Sequence, residues 1–406
     1  MSPIATEELS LRSAMPAVIL TTLVQAVAAM ATLSVASIAP EVASALGVPT
    51  VLVGYQASLI YGFAMVSAML AGAFVVRYGA CRISQWSMLL TLLGSTLLMV
   101  PHVAGIALGS LFIGIGYGLT NPSASHLLMR LVPVKRRSLI FSLKQTGVPL
   151  GGVMAGFILP SATIYLGWQP ALGLVGLVAL VLIIAMQYYQ ARWDDDRIPN
   201  APLPRNPFYG LTSIWQVPVL RFVSLVAFCY GILQINLSTY LVAMLVEDIH
   251  IDLLTAGAIL AAVQVAGVSG RILWGGIADW INRGLWMLVF LGVIISIMTV
   301  VVSSVSPQWS VPALYLAFIL FGMTAIGWNG IYLSEVAKYS PEGQVSAATG
   351  ASLSITYTGI LMGSPLFIAI YQRYGNYADS FGVLLLPALI GLACAFIAAQ
   401  KTKSHL

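Results

Sequence analysis

The chain is divided into apolar stretches, each about as long as a bilayer is thick. A helix crossing hydrocarbon needs about 20 such residues, because its backbone polar groups must be satisfied within the segment. Twelve stretches qualify, over roughly 14–39, 51–76, 83–101, 103–130, 138–164, 169–190, 218–246, 254–280, 284–304, 311–337, 344–371 and 380–399. Only 8% of the 406 residues are charged, against about 25% in an ordinary soluble domain, so little chain remains outside the spans. The expected fold class is an all-α membrane protein with 12 transmembrane helices. The first run is too long for a signal-peptide core and is expected to stay as a span.

The placement of cations orients the bundle, since Lys and Arg collect on the cytoplasmic side. With the N-terminus inside, fifteen of the eighteen Lys and Arg residues face the cytoplasm and only Arg373 lies outside. Both termini are then cytoplasmic, and the plasma membrane (the inner membrane in a bacterium) is the expected location. The net charge of +5 follows this placement and is no signal of nucleic-acid binding. Cys81, Cys229 and Cys394 lie far apart, so neither a disulfide framework nor a zinc site is expected. No phosphate-binding Gly-Lys-Ser/Thr loop, nucleophile triad or metal-ligand cluster is apparent. No enzyme activity and no cofactor are expected.

The longest polar stretch carries Asp194-Asp195-Asp196 and several prolines. It divides the chain into an N-terminal segment 1–13, a bundle 14–190, a linker 191–217, a second bundle 218–399 and a tail 400–406. The simplest expectation for the linker is a bare spacer. The halves resemble each other. Gly114 to Arg130 and Pro133 match Gly322 to Lys338 and Pro341, 208 residues further on. Ser142, Thr146, Gly147 and Gly151 match Ser354, Thr358, Gly359 and Gly363, 212 residues further on. Duplicated halves place a site at mid-depth between them.

Two cations lie inside spans, Lys144 in the fifth and Arg271 in the eighth, with no Asp or Glu at their depth. A cation in hydrocarbon is costly unless it meets a partner or a polar cavity. The missing anion is therefore expected to be the cargo. Arg271 lies about 12 Å above Asp279 along its helix, and Lys144 about 10 Å above Arg137. The bland alternative is that both side chains snorkel to the surface.

The segment Gly72-Ala73-Phe74-Val75-Val76-Arg77-Tyr78-Gly79-Ala80-Cys81-Arg82 resembles the Gly-x-x-x-Asp-Arg-x-Gly-Arg-Arg element of the major facilitator superfamily, with Val76 in place of the aspartate. Its second copy, Gly275 to Arg283, keeps the acid at Asp279 and the base at Arg283. Gly147-Val148-Pro149-Leu150-Gly151-Gly152 resembles that family's Gly-Pro-x-x-Gly-Gly element, associated there with antiporters. The resemblance covers essentially the whole chain. It implies two pseudo-symmetric six-helix bundles that rock about a central site, with cytoplasmic gating at Asp279, Arg283, Arg77 and Arg82. Arg271 resembles the eighth-span arginine of monocarboxylate transporters and oxalate/formate exchangers, which binds substrate carboxylate. The exchangers' other cation lies in the eleventh span, where this chain has Thr356.

Candidate substrate contacts are Arg271, Lys144, Gln264, Trp328, Tyr332, Tyr357, Tyr117 and Asn121. Gln264, Arg271 and Gly275 share one helical face, as do Tyr117, Asn121 and Ser125. Asn329 adjoins Trp328, and Ser354 and Thr358 accompany Tyr357. Gln25 and Thr32 are the polar residues of the first span; Gln234, Asn236 and Tyr240 are those of the seventh. Each aromatic also has a packing explanation. His126, the lone histidine within a span, is a possible proton carrier, although a structural hydrogen bond is the favoured explanation. Glu335 is expected at a gate or surface.

These features predict a monomeric secondary transporter of a small organic anion, a carboxylate above all, working by proton symport or anion exchange in the lipid bilayer. The competing reading is a proton-coupled exporter of hydrophobic drugs or metabolites. A receptor or membrane-embedded enzyme has no supporting feature.

Overall fold

The computed structural model describes residues 11–132, 140, 143–201, 214–340 and 345–401. The beginnings of the fifth and eleventh spans, Lys135, Arg136, Arg137, Ser142, Arg205, Pro133, Pro341 and Lys403 lie outside the described residues. So do most of the N-terminal segment and the middle of the linker.

Every regular element described is helical. Among the described residues, eleven helices are long and apolar enough to cross a membrane. The twelfth span is Ala80–Leu98, third in the chain, whose 19 residues include buried Ser84, Gln85, Ser87, Thr91 and Ser95. These polar groups lower its hydropathy, but each of the first three is matched inside the bundle. Ser84 Oγ lies 3.0 Å from Ser123 Oγ, and Ser87 Oγ donates to the Gly116 carbonyl at 2.7 Å. Gln85 Nε2 donates to Gln187 Oε1 at 3.0 Å. In lipid, where helices gain nothing by hiding apolar surface from one another, such bonds and close packing hold them together.

The internal repeat has a spatial counterpart. A Cβ on Gly147 would lie 2.6 Å from the Thr22 carbonyl, and one on Gly359 would lie 2.3 Å from the Phe228 carbonyl. The matched glycines let the fifth span sit against the first, and the eleventh against the seventh, at backbone distance.

The tenth span differs from the single helix expected over 311–337. It consists of Val311–Ala325 and Asn329–Tyr339, joined by a turn at residues 326–328. The eighth span, Leu253–Ile281, supplies the freed carbonyls with donors. Trp274 Nε1 bonds the Met323 carbonyl at 2.8 Å, and Arg271 Nε bonds the Ile326 carbonyl at 3.3 Å. A helix can break at membrane depth where neighbouring side chains satisfy the backbone in this way.

The start of the linker is docked, in contrast to the bare spacer expected. The Asp194 carboxylate accepts from the backbone N–H groups of Cys81 at 2.7 Å and Arg82 at 2.9 Å. It thus caps the N-terminus of the third span, where negative charge is favoured. Gly79, at φ 97°, makes room, since a Cβ there would lie 2.2 Å from Asp194 Cγ. Asp194→Ala is expected to destabilise the N-terminal half by about 1–2 kcal/mol, and Asp194→Asn by less because it keeps an acceptor. Thermal unfolding in detergent measures both.

Asp195 and Asp196 each bond Arg130 Nη1 at 2.6 Å, and His126 Nε2 lies 2.8 Å from Asp196 Oδ2. Partial burial works to raise the Asp196 pKa. The bonds to His126 and Arg130 outweigh it and hold the carboxyl below its ordinary value. A depressed acid contributes stability above its unfolded pKa and loses it as pH falls through the folded value. The clasp is half exposed, so Asp196→Asn should cost only about 0.5 kcal/mol at pH 7. Its melting difference from the parent should shrink as pH falls through the ordinary aspartate range and vanish below the depressed folded value.

Candidate functional site

Between the halves, at mid-depth, lies a cavity of ≈ 40 Å³. Its polar wall is Thr32 of the first span, Gln234 and Ser238 of the seventh and Gln264 of the eighth; its apolar wall is Ala29, Leu33, Val148, Ile235 and Ile360. Tyr61 and Tyr117 complete it. Ligand pockets for drug-sized molecules run to about 300–1,000 Å³. The halves are therefore drawn together around this chamber, and a ligand requires them to part.

Lys144 does not snorkel. It is 2% exposed, and its Nζ donates to Gln25 Oε1 at 2.9 Å and to Asn121 Oδ1. Those two amides lie one helical turn from Ala29 and Tyr117, which line the cavity, while Lys144 and Arg271 themselves are not part of its wall. Gln25 Nε2 has no partner among the described residues. Arg271 is partly buried, with its Nε on the Ile326 carbonyl. Its guanidinium is within electrostatic range of the Tyr117 hydroxyl, across the boundary between halves. Gln264 Nε2 points to Ser238 Oγ at 3.4 Å. Among the described residues, every salt bridge involves the linker aspartates, and neither deep cation has a carboxylate partner. The cations are held by neutral oxygens alone, an arrangement that can accept an anion without first breaking an ion pair.

Other candidates lie elsewhere. Trp328 and Tyr332 are both 0% exposed and packed within the C-terminal half. Trp328 Nε1 bonds the Ala325 carbonyl at 3.0 Å, and its ring meets Tyr230 and Tyr332. The Tyr332 hydroxyl bonds Ser352 and Thr356. The turn at residues 326–328 is the cause, because it sends Trp328 inward and brings Asn329 toward the centre. Asn329 Nδ2 donates to Gln234 Oε1 at 3.0 Å. Tyr357 is half-buried at the seam, its ring 6.2 Å from that of Tyr61.

Tyr61, whose ring is 5.8 Å from that of Tyr117, went unnoticed in the sequence. The only signal was its helical face, shared with the small residues Gly54 and Ala57.

The expected gate is not engaged in this conformation. Asp279 and Arg283 are exposed, with no ion pair between them among the described residues. Arg77 lies over the neighbouring Tyr78 ring, and Arg82 Nη1 bonds Gln85 Oε1 at 3.0 Å. Glu335 is buried rather than at the surface, against Gly284 at the start of the ninth span. His126 pairs with the linker, about 13 Å along its helix from Tyr117, so it stands apart from the central chamber.

Two helical halves closing on a polar chamber form an architecture on which membrane carriers are built. Residues 21–364 match the Major Facilitator Superfamily, and the chain belongs to that family. Its relatives include the benzoate transport protein of Acinetobacter baylyi, 23% identical over 70% of this chain and 66% of that one. Monocarboxylate transporter 13 of Bos taurus is 24% identical over 67% of this chain and 62% of its own length. The chain thus spans just under two thirds of these two relatives. The probable galactarate/D-glucarate transporter GudP of Escherichia coli is 22% identical over 87% of this chain and 85% of that one. A bacterial homolog of the human lysosomal transporter Spinster, solved in an inward-facing conformation, shares the fold at a TM-score of 0.78 and 12% identity, over 96% of this chain and 98% of that one.

Proposed function

We propose that this protein is a secondary transporter that carries a small organic anion, a carboxylate above all, across the plasma membrane by alternating access. The carrying observation is the pair of deep cations, Lys144 and Arg271, whose hydrogen-bond partners are neutral oxygens. Arg271 grips the carboxylate through its planar fork and Lys144 adds a point charge. Anion binding discharges both groups and lets the halves close; release on the other side resets them. The relatives named for benzoate, monocarboxylates and galactarate or glucarate support this cargo.

The chain termini and linker face the cytoplasm, as the distribution of Lys and Arg favours. Coupling is by proton symport, with the proton carried on the substrate or the site, or by anion exchange.

Counterflow in proteoliposomes tests the cargo. Vesicles preloaded with benzoate, lactate or glucarate should accumulate the matching labelled anion. Accumulation of lipophilic cations, with none of any carboxylate, would instead make the protein a drug exporter.

A further inference from the structure

Part of the chamber wall is aromatic, formed by Tyr61 and Tyr117. Tyr61 meets Tyr117 edge-on at 5.8 Å and 71°, and meets Tyr357 at 6.2 Å and 42°. Tyr61 and Tyr117 belong to the N-terminal half and Tyr357 to the C-terminal half. Ala57, Ile235 and Ile360, again from both halves, pack behind Tyr61 and Tyr357.

Aromatic rings inside spans usually just pack, and this protein contains such a stack. Tyr240, Phe367 and Tyr377 are each 0% exposed and stacked on one another, Tyr240 closing on Gly54 of the second span, and none of the three lines the cavity. The seam tyrosines differ. Tyr61 and Tyr357 are only partly buried, and Tyr61 lines the central cavity. The Tyr61–Tyr357 contact crosses between halves that must separate to admit a ligand. When they part, Tyr61 loses its neighbour, and a flat ring from the ligand can replace it.

Building on the anion reading, we infer that Tyr61, with Tyr117 and Tyr357, selects anions whose carboxylate is borne on a planar aromatic ring. Arg271 is within electrostatic range of Tyr117, and Tyr117 touches Tyr61. A carboxylate borne on the ring itself or on a short arm is the geometry this inference predicts. An aliphatic hydroxy acid would satisfy the polar wall but leave three aromatic faces without a partner.

The test is competition for binding to the purified full chain, using benzoate, cyclohexanecarboxylate, lactate and benzamide. Cyclohexanecarboxylate keeps the charge and bulk of benzoate without its flatness. Benzamide keeps the ring without the charge. Benzoate should bind about tenfold or more better than cyclohexanecarboxylate. Tyr61→Leu should shrink that ratio toward one, and Tyr61→Phe should preserve it. The ratio is the readout, whatever happens to absolute affinity. A parent ratio near one overturns the aromatic selection and leaves the anion reading standing. So does a ratio unchanged in both Tyr61→Leu and Tyr357→Leu. Benzamide binding as well as benzoate, or no binding by any carboxylate, overturns the anion reading and this inference with it.

Discussion

Arg271→Gln is expected to lower carboxylate counterflow by about 10- to 100-fold. A hydrogen bond to a charged group contributes about 1.5–3 kcal/mol, and each 1.4 kcal/mol is tenfold in affinity. Arg271→Lys should recover part of the loss, because it restores the charge without the planar fork. Lys144→Gln should cost a similar factor while sparing the fold. Its amide can still donate to Gln25 or Asn121, whose oxygens now receive the ammonium. The two effects should be less than additive in the double variant, since both groups serve one ligand. Full transport of every carboxylate by both single variants would remove the basis for an anionic cargo.

Gly156→Leu is expected to abolish transport without unfolding the protein. Gly156 of the fifth span and Gly257 of the eighth pack against each other across the two halves. A Cβ on Gly156 would lie 2.6 Å from the Gly257 carbonyl, and one on Gly257 would lie 2.4 Å from the Gly156 carbonyl. These atoms are backbone, which cannot swing aside. Overpacking a tight contact costs about 1–3 kcal/mol, and here the cost falls only on the state in which these spans touch. The equilibrium between conformations should shift by about 5- to 150-fold toward the opposite opening. The readout is a cysteine at cavity-lining Ser238, labelled by an impermeant thiol reagent from the face remote from the chain termini. The natural cysteines are buried, so background is low. Labelling should rise in Gly156→Leu as counterflow falls. Unchanged labelling with unchanged transport would mean that this contact does not close the carrier.

Much of the architecture was legible because the bilayer imposes it. Span length, cation placement and the repeat of Gly147 and Gly359 each answer to a constraint that acts along the chain. Lys144 and Arg271 stood out for the same reason, as charges where hydrocarbon permits few. Their partners were less legible. Gln25 appeared only as a polar residue of the first span, and nothing in its neighbours linked it to a lysine 119 residues away. Trp328 and Asn329 are adjacent, and a regular helix offers no reason to prefer the second. The turn at residues 326–328 decides between them, and it depends on donors from the eighth span. Asp194 illustrates the same limit, since a proline-rich polar stretch gives no sign that its first acid caps a helix more than a hundred residues earlier.

The sequence by itself determined a twelve-helix, two-fold repeated membrane bundle with two positive charges inside its spans, because transfer into lipid penalises each residue according to its own chemistry. The tertiary structure alone decided which side chains meet at the centre: the amide cradle of Lys144, the broken tenth span that holds Arg271, and Tyr61 at the seam. Those choices turn on helix rotation and close approach, which depend on partners far away in the chain.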